Sequence, residues 1–208
     1  MNTIVKKLQF FFKRVFDFLT AFLGLILLSP LFIIIAILIK ADSDGNVFLK
    51  QERIGKNGLL FLPFKFRTMV EGAINKGLRY TVSENDERIT KIGKFLRKWG
   101  IDELPQLINI LRGEMSLVGP RPTFRYQVEK YNNFEKKRLL VKPGLTGWAI
   151  IHGRNSLTWE DRIKYDVWYV ENWSLRLDAK IIFKTFYLIF IKQEGVYGKG
   201  GINDSFEK

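Results

Sequence analysis

Along this chain the apolar residues gather into one long run followed by several shorter periodic stretches. Val15 to Ile39 is apolar except at Asp17, Thr20 and Ser29. As a helix this run reaches roughly 37 Å, beyond the roughly 30 Å of bilayer hydrocarbon. It is too long for a removable leader, and no small-residue cleavage site follows it. Two details pull against a simple crossing. Ser29-Pro30 interrupts the run, and a proline there removes an amide and bends a helix. Basic residues flank both ends, Lys6, Lys7, Lys13 and Arg14 before it and Lys40, Lys50, Arg53 and Lys56 after it. Positive flanks mark the cytoplasmic side of a membrane. The pattern fits both a spanning helix and a re-entrant one whose two limbs, of about 15 and 9 residues, are each too short to span.

The later stretches predict a compact mixed domain. Val47 to Met69 reads as a β-hairpin, with two apolar-rich runs around Lys56-Asn57-Gly58 and Asn-Gly as the tight-turn signal. Pro63 weakens the second strand or confines it to an edge. Beyond it Phe64 and Phe66 alternate with Lys65 and Arg67, giving one apolar and one basic face. Glu71 to Asn85 is a polar loop. Asp86 to Trp99 predicts an amphipathic helix with Ile89, Ile92, Phe95, Leu96 and Trp99 against Arg88, Lys91, Lys94, Arg97 and Lys98, a pattern suited both to a membrane interface and to a core-packed surface helix. Tyr126 to Leu140 and Trp159 to Trp173 read as further helices. Asp178 to Ile191, at about 21 Å, is too short to span and lies on a bilayer or over the core. Lys180, Lys184 and Lys192 keep one of its sides wet. The expected class is α+β, mainly helical, with a small β-hairpin and interfacial amphipathic helices. Its parts are a basic and membrane-helical segment over 1–41, a catalytic domain over 42–194 and a Gly-rich flexible tail over 195–208.

Chemistry concentrates in Arg97 to Pro122, RKWGIDELPQLINILRGEMSLVGPRP. Asp102 and Glu103 stand side by side at a predicted helix start. Leu104, Leu107, Ile108 and Leu111 follow at i, i+3, i+4 and i+7 as one apolar face. Pro105 is tolerated in a first turn, and Gly113 is the natural stop. An isolated Asp there reads simply as an N-cap. Adjacent carboxylates permit more, since one can cap while the other faces elsewhere. Arg97 and Lys98 precede them, and Arg112 and Arg121 follow. A helix N-terminus favours anions, and an ionised Asp is a competent nucleophile toward phosphorus. Val118-Gly119-Pro120-Arg121-Pro122 is a stiff turn that aims a guanidinium, the side chain suited to bidentate phosphate contacts. The stretch reads as a phosphoryl-transfer site. In Lys142 to Asn155, Gly144, Gly147 and Gly153 let backbone approach a ligand closely, and Arg154 is the candidate for a ligand contact.

Composition narrows the partners. The 208 residues carry a formal charge of +13, 47% hydrophobic residues and 18 Phe. The partners are therefore anionic: nucleic acid, acidic lipid headgroups or phosphorylated substrates. There is no Cys, so neither a disulfide framework nor a thiolate metal site is possible, and the single His152 cannot build a histidine metal centre.

Taken in order, KFRTM at Lys65 to Met69, IDELPQLINILRGEMSLVGPRP and KPGLTGWAIIHGRN resemble the bacterial sugar transferases, the monotopic phosphoglycosyl transferases, over about Lys13 to Gly195. That resemblance implies a re-entrant membrane helix broken at Ser29-Pro30 and a catalytic domain on the cytoplasmic face of the bacterial inner membrane. It implies transfer of a sugar-1-phosphate from a UDP-sugar to polyprenyl phosphate, with Asp102 as nucleophile, an aspartyl-phosphosugar intermediate and release of UMP. Mg2+ would be held by Asp102 and Glu103. Lys65 or Arg67 would reach the diphosphate, Arg154 the nucleotide-sugar, and Asp166 matches an acidic position of the site. Arg97 and Arg121 complete the expected substrate contacts. The implied partners are the two substrates and membrane lipids, with no nucleic acid and no defined oligomer. The short form implies an N-acetylated amino sugar rather than a plain hexose. Three rivals stay open on the residues alone: a membrane-anchored module that binds anionic lipid or nucleic acid, a membrane-spanning enzyme of the same chemistry, and a non-catalytic scaffold.

Overall fold

The computed structural model describes residues 3–73, 86–153 and 156–191. Its elements are mainly helical with three small two-stranded sheets. Helix α1 (Thr3–Asp42) contains the whole apolar run. It is the one helix among the described residues long and apolar enough to cross a membrane. It does not break at Ser29-Pro30, where the sequence predicts an interruption. The Ser29 hydroxyl donates to the Ile26 carbonyl at 2.8 Å, the carbonyl that the missing Pro30 amide would have bonded in an unbroken ladder. One face of α1 lies on the rest of the molecule. Asp17, Ala21, Ile35 and Ile39 are buried on it, and Leu25, Leu28 and Phe32 pack into the same seam. The spacing of three and four is a helical stripe. The opposite face, including Phe12, Phe16, Leu23, Leu27, Ile34 and Ile37, is exposed.

Four strands follow: β1 (Phe48–Leu49), β2 (Arg53–Ile54), β3 (Leu60–Phe61) and β4 (Lys65–Phe66). β2 pairs antiparallel with β3 and β1 with β4, the inner pair closing around Lys56-Asn57-Gly58, where Asn57 takes φ 56° and Gly58 φ 81°. Between the ladders Pro63 has no amide to give. Asn109 covers that gap, accepting from Phe64 N and donating to the Leu62 carbonyl, each at 2.8 Å.

Helix α2 (Lys91–Trp99) is shorter than predicted. Asp86 bonds the Arg88 amide and guanidinium, and Ile89 pairs with Met69, so the chain before Thr90 is committed to other partners. Thr90 is the true cap, accepting from Gly93 N at 3.0 Å. Gly100 (φ 69°) ends α2, and a 3₁₀ segment over Ile101–Gln106 leads into α3 (Leu107–Arg112). That tighter first turn shifts the buried face from the predicted one to Gln106, Leu107, Asn109 and Ile110. Strand β5 (Ser116–Val118) then pairs in parallel with β6 (Gly144–Thr146), a connection the periodicity did not predict. Between them the predicted 126–140 helix is instead α4 (Arg125–Val128), α5 (Asn133–Lys136) and a 3₁₀ turn, because Asn132 and Glu135 form a capping box that starts a new helix. Helix α6 (Trp159–Asn172) and α7 (Leu175–Phe186), extended by a π turn to Ile191, close the fold.

Polar pins fix α1 at its start. Lys13 pairs with Asp178 at 2.6 Å and donates to the Val118 carbonyl, Arg14 donates to Ile110 O and Leu111 O at the end of α3, and Asp17 accepts from Leu117 N. Asp178 also accepts from Tyr169 Oη at 2.7 Å and Trp173 Nε1 at 3.1 Å, and Phe10 stacks on Trp173. Asp178→Ala leaves three donors without that acceptor. We expect it to cost about 3 kcal/mol, seen as a lowered Tm in detergent, and Asp178→Asn to cost less. Equal stability of Asp178→Ala and wild type would refute this account of how α1 is pinned.

Candidate functional site

The adjacent carboxylates sit where three segments converge. Gly100, in the left-handed region, turns the chain out of α2, so the cap position belongs to glycine and not to Asp102. Asp102 is instead buried and faces strand β4. There Phe66 is fully buried among Ile35, Ile39 and Leu96, which turns Lys65 to the opposite side of the strand. Lys65 Nζ lies 2.8 Å from Asp102 Oδ2 and 3.0 Å from Glu103 Oε1. The third segment is the turn after β5. Gly119 N bonds the Thr146 carbonyl, and Gly144 N the Pro120 carbonyl. A Cβ on Gly119 or Gly144 would strike the other's backbone, and one on Gly147 would strike Gly119. Gly144 and Gly147 therefore serve the approach of two backbones rather than of a ligand. From that turn Arg121 reaches Glu103 with both terminal nitrogens, at 2.6 Å to Oε1 and 3.1 Å to Oε2.

Two negative and two positive groups thus share one partly buried place. Burial alone would raise the Glu103 pKa, but Arg121 and Lys65 outweigh it and hold the carboxyl well below the usual range. Burial alone would lower the Lys65 pKa, and Asp102 and Glu103 reverse that to hold the ammonium above its ordinary value. Arg97 stands close enough to act on Lys65 electrostatically, and its Nε donates to Thr68 Oγ1 at 2.6 Å.

The remaining sequence candidates fall elsewhere. Arg67 is buried, with its guanidinium on the carbonyls of Ile39, Ser43 and Asp44 at the end of α1. Asp166 is buried in an ion pair with Arg138. Arg154 lies outside the described residues. Ser29 and Pro30 lie on the exposed side of α1. Arg112 places its guanidinium over the Phe64 ring at 4.9 Å. His152 bonds the Trp148 carbonyl and stacks on Tyr165, while Trp148 stacks on Trp168, so these rings pack together. Sequence reasoning missed Thr68, Asn109 and Arg138. An amide inside a short helix beside a proline-interrupted strand was the only signal for Asn109. Among the described residues no group of three or more His, Cys, Asp or Glu could hold a metal. The donors at the site are the Asp102 and Glu103 carboxylates, a set that suits Mg2+ only when substrate phosphates complete its shell.

Comparison with known proteins is consistent along almost the whole chain. Residues 8–192 match the family model described as bacterial sugar transferase. The exopolysaccharide production protein ExoY of Sinorhizobium fredii is 44% identical over 187 residues, covering 83% of this chain and 83% of that protein. The uncharacterized sugar transferase EpsL of Bacillus subtilis is 41% identical over 181 residues, with 87% and 88% covered. The undecaprenyl-phosphate galactose phosphotransferase of Salmonella typhimurium is 38% identical over 210 residues, which is 94% of this chain and 44% of that longer protein.

The charge cluster has a defined pH signature. Glu103, held low, contributes fully above the ordinary value of 4.5 and loses that contribution as pH falls through its depressed value. Lys65, held high, contributes fully below 10.5 and loses it as pH rises through its raised value. The Tm advantage of wild type over Glu103→Gln should therefore be flat from about pH 6 to 9 and shrink below the ordinary glutamate range. Thermal scans across pH test this, and an advantage that grows on acidification would contradict it.

Proposed function

The chain belongs to the bacterial sugar transferase family, and from that premise we propose that it moves a sugar-1-phosphate from a UDP-sugar to a polyprenyl phosphate, undecaprenyl phosphate in bacteria. It is an enzyme, a transferase. The observation that carries the finer reading is the buried Asp102 beside Glu103 under Lys65 and Arg121, next to a helix with an exposed apolar face. The names of its relatives supply the substrate class: one is an undecaprenyl-phosphate galactose phosphotransferase, another a UDP-N-acetylgalactosamine-undecaprenyl-phosphate N-acetylgalactosaminephosphotransferase.

The proposed chemistry has two displacements at phosphorus. A carboxylate oxygen of Asp102 attacks the sugar-bearing β-phosphate. The bond from that phosphorus to the bridging oxygen breaks, UMP leaves with the electron pair, and an aspartyl-phosphosugar remains. An oxygen of the polyprenyl phosphate then attacks the same phosphorus, the Asp102 oxygen leaves, and polyprenyl-diphosphate-sugar is released. Lys65 and Arg121 stand where charge accumulates in both steps and are already oriented by their ion pairs, Lys65 partly buried and Arg121 half-exposed. Glu103 holds the two cations in place and would share Mg2+ with Asp102. Bound there with the diphosphate, that ion would offset the charge of the substrate. Arg97 and Arg154 are proposed substrate contacts.

Membrane attachment follows from α1. A helix docked along one seam on a polar domain does not pass through a bilayer alone, because the domain would have to follow it. We take α1 as monotopic, entering the cytoplasmic leaflet of the inner membrane by its exposed face and remaining on one side. Exposed Phe95 on α2 and Phe183, Phe186 and Phe190 on and after α7, with lysines beside them, suit the interface. The +13 charge favours anionic lipid and both phosphorylated substrates.

Two measurements test this. Purified protein in detergent with polyprenyl phosphate, Mg2+ and a panel of UDP-sugars should release UMP from at least one sugar. Asp102→Ala should lower release by at least about 10³-fold. No release from any sugar by folded protein would overturn the reading in favour of a lipid-binding module. Because the chain has no cysteine, single cysteines at Asn2 and Ser205 report sidedness, and both should label from the same face of sealed vesicles. Labelling from opposite faces would mean that α1 spans.

A further inference from the structure

The buried ion pair of Arg138 and Asp166 is larger than its own charge balance requires. Arg138 is 3% exposed and Asp166 2%. Besides Asp166, the Arg138 guanidinium donates from Nη1 to Tyr131 Oη at 2.6 Å and from Nη2 to the backbone carbonyl of Arg121 at 3.0 Å. Burial alone would lower its pKa, and Asp166 with Tyr131 reverses that, so the group stays charged. Tyr131 is itself buried. The three acceptors come from three segments: the turn after β5, the link between α4 and α5, and the middle of α6.

The contact on Arg121 is the informative one. Its neighbours in the turn are held by backbone. Gly119 N and the Pro120 carbonyl are tied to β6, and the Thr123 carbonyl accepts from Ile54 N. The Arg121 carbonyl is held by a side chain, and it belongs to the residue whose guanidinium grips Glu103. We propose that Arg138, braced by Asp166 and Tyr131, is a positioning residue that fixes Arg121 against the Asp102–Glu103 pair. This assigns Asp166 to the support of the site rather than to substrate contact, and it rests on the reading of that pair as the reacting centre. A guanidinium suits the task because its fixed fork reaches several acceptors at once, whereas an ammonium offers one point of charge.

Arg138→Lys is the test, since it keeps a charge beside Asp166 and loses the fork. The expected fall in kcat/KM for UMP release is about 10- to 100-fold, the scale of a small misplacement of a catalytic group. In an Arg121→Ala background the same substitution should cost less than about 3-fold, because the residue it positions is gone. Equal losses in both backgrounds would mean a purely structural role and overturn the proposal. An unchanged kcat/KM would do the same. Hydrogen exchange over residues 119–124 gives a readout independent of turnover. It should speed up in Arg138→Lys while exchange in α6 stays as in wild type, and unchanged exchange at 119–124 overturns the brace. If wild type itself fails to release UMP, the proposed reaction falls and the exchange result still decides the brace. If Arg138→Lys does not fold, Tyr131→Phe, which removes one arm and leaves the charges paired, is read by the same cycle and the same criteria.

Discussion

The structure depends on how an almost wholly apolar helix is held along one side. Among the described residues, two of the four core clusters borrow residues from α1: Ala21 packs with Phe61, Leu107 and Met115, and Ile35 and Ile39 pack with Phe66 and Leu96. Lys13, Arg14 and Asp17 pin its start to α7, α3 and β5, and Asp42 accepts from Ile92 N at its end. Removing α1 would open both clusters and leave buried polar partners unpaired, so the anchor and the rest of the chain are one folding unit. The same arrangement leaves the other side of α1 uncovered. So large an exposed apolar face is stable only against hydrocarbon or another apolar surface.

The site meets a second constraint, two carboxylates on consecutive residues in a place with little water. Burial alone would push the Glu103 pKa up. Lys65 shared between them and Arg121 forked on Glu103 bring the cluster to neutrality, with both cations on stiff supports: a strand beside a buried phenylalanine, and a turn between prolines. A diphosphate entering such a site would meet cations already aimed. The cost of orienting them has been met in folding, which is what makes preorganised charge effective at a reacting phosphorus.

Much of this was legible in the sequence where signals were local. The long apolar run, the carboxylate pair, the Gly113 stop and the Asn57-Gly58 turn each stand on neighbouring residues. The dyad, Lys65 and Arg121 proved to share one place although 56 positions separate the outermost two. What failed to read was a competition between partners far apart in the chain. The predicted start of α2 lost to a bond between Asp86 and Arg88 and a bridge to Met69. Gly144 and Gly147, which read as room for a ligand, are room for another backbone. Arg67 shares the predicted basic face with Lys65, yet its partners are carbonyls more than twenty residues earlier. Arg138 gave no signal and Asn109 only a weak one, because a guanidinium or an amide in a short helical segment looks like surface until its acceptors are known.

Arg67 also ties the end of α1 to the charged site. It stands two residues from Lys65, and positions two apart along a strand are roughly 7 Å apart on the same side. One of them closes the last carbonyls of α1, where the chain leaves its apolar run, and the other holds the Asp102–Glu103 pair. The end of α1 and the charged site are thus tied to residues two apart on one short segment, with no long linker between them. A lipid whose phosphate lies at the bilayer surface would present it at that level. If α1 seats its end at that level, its rigid link to the site would set the site opposite that phosphate without drawing the chain of the lipid out of the hydrocarbon. A long tether would let the domain drift by many ångströms, and the advantage of preorganised cations would be lost to the search for their partner.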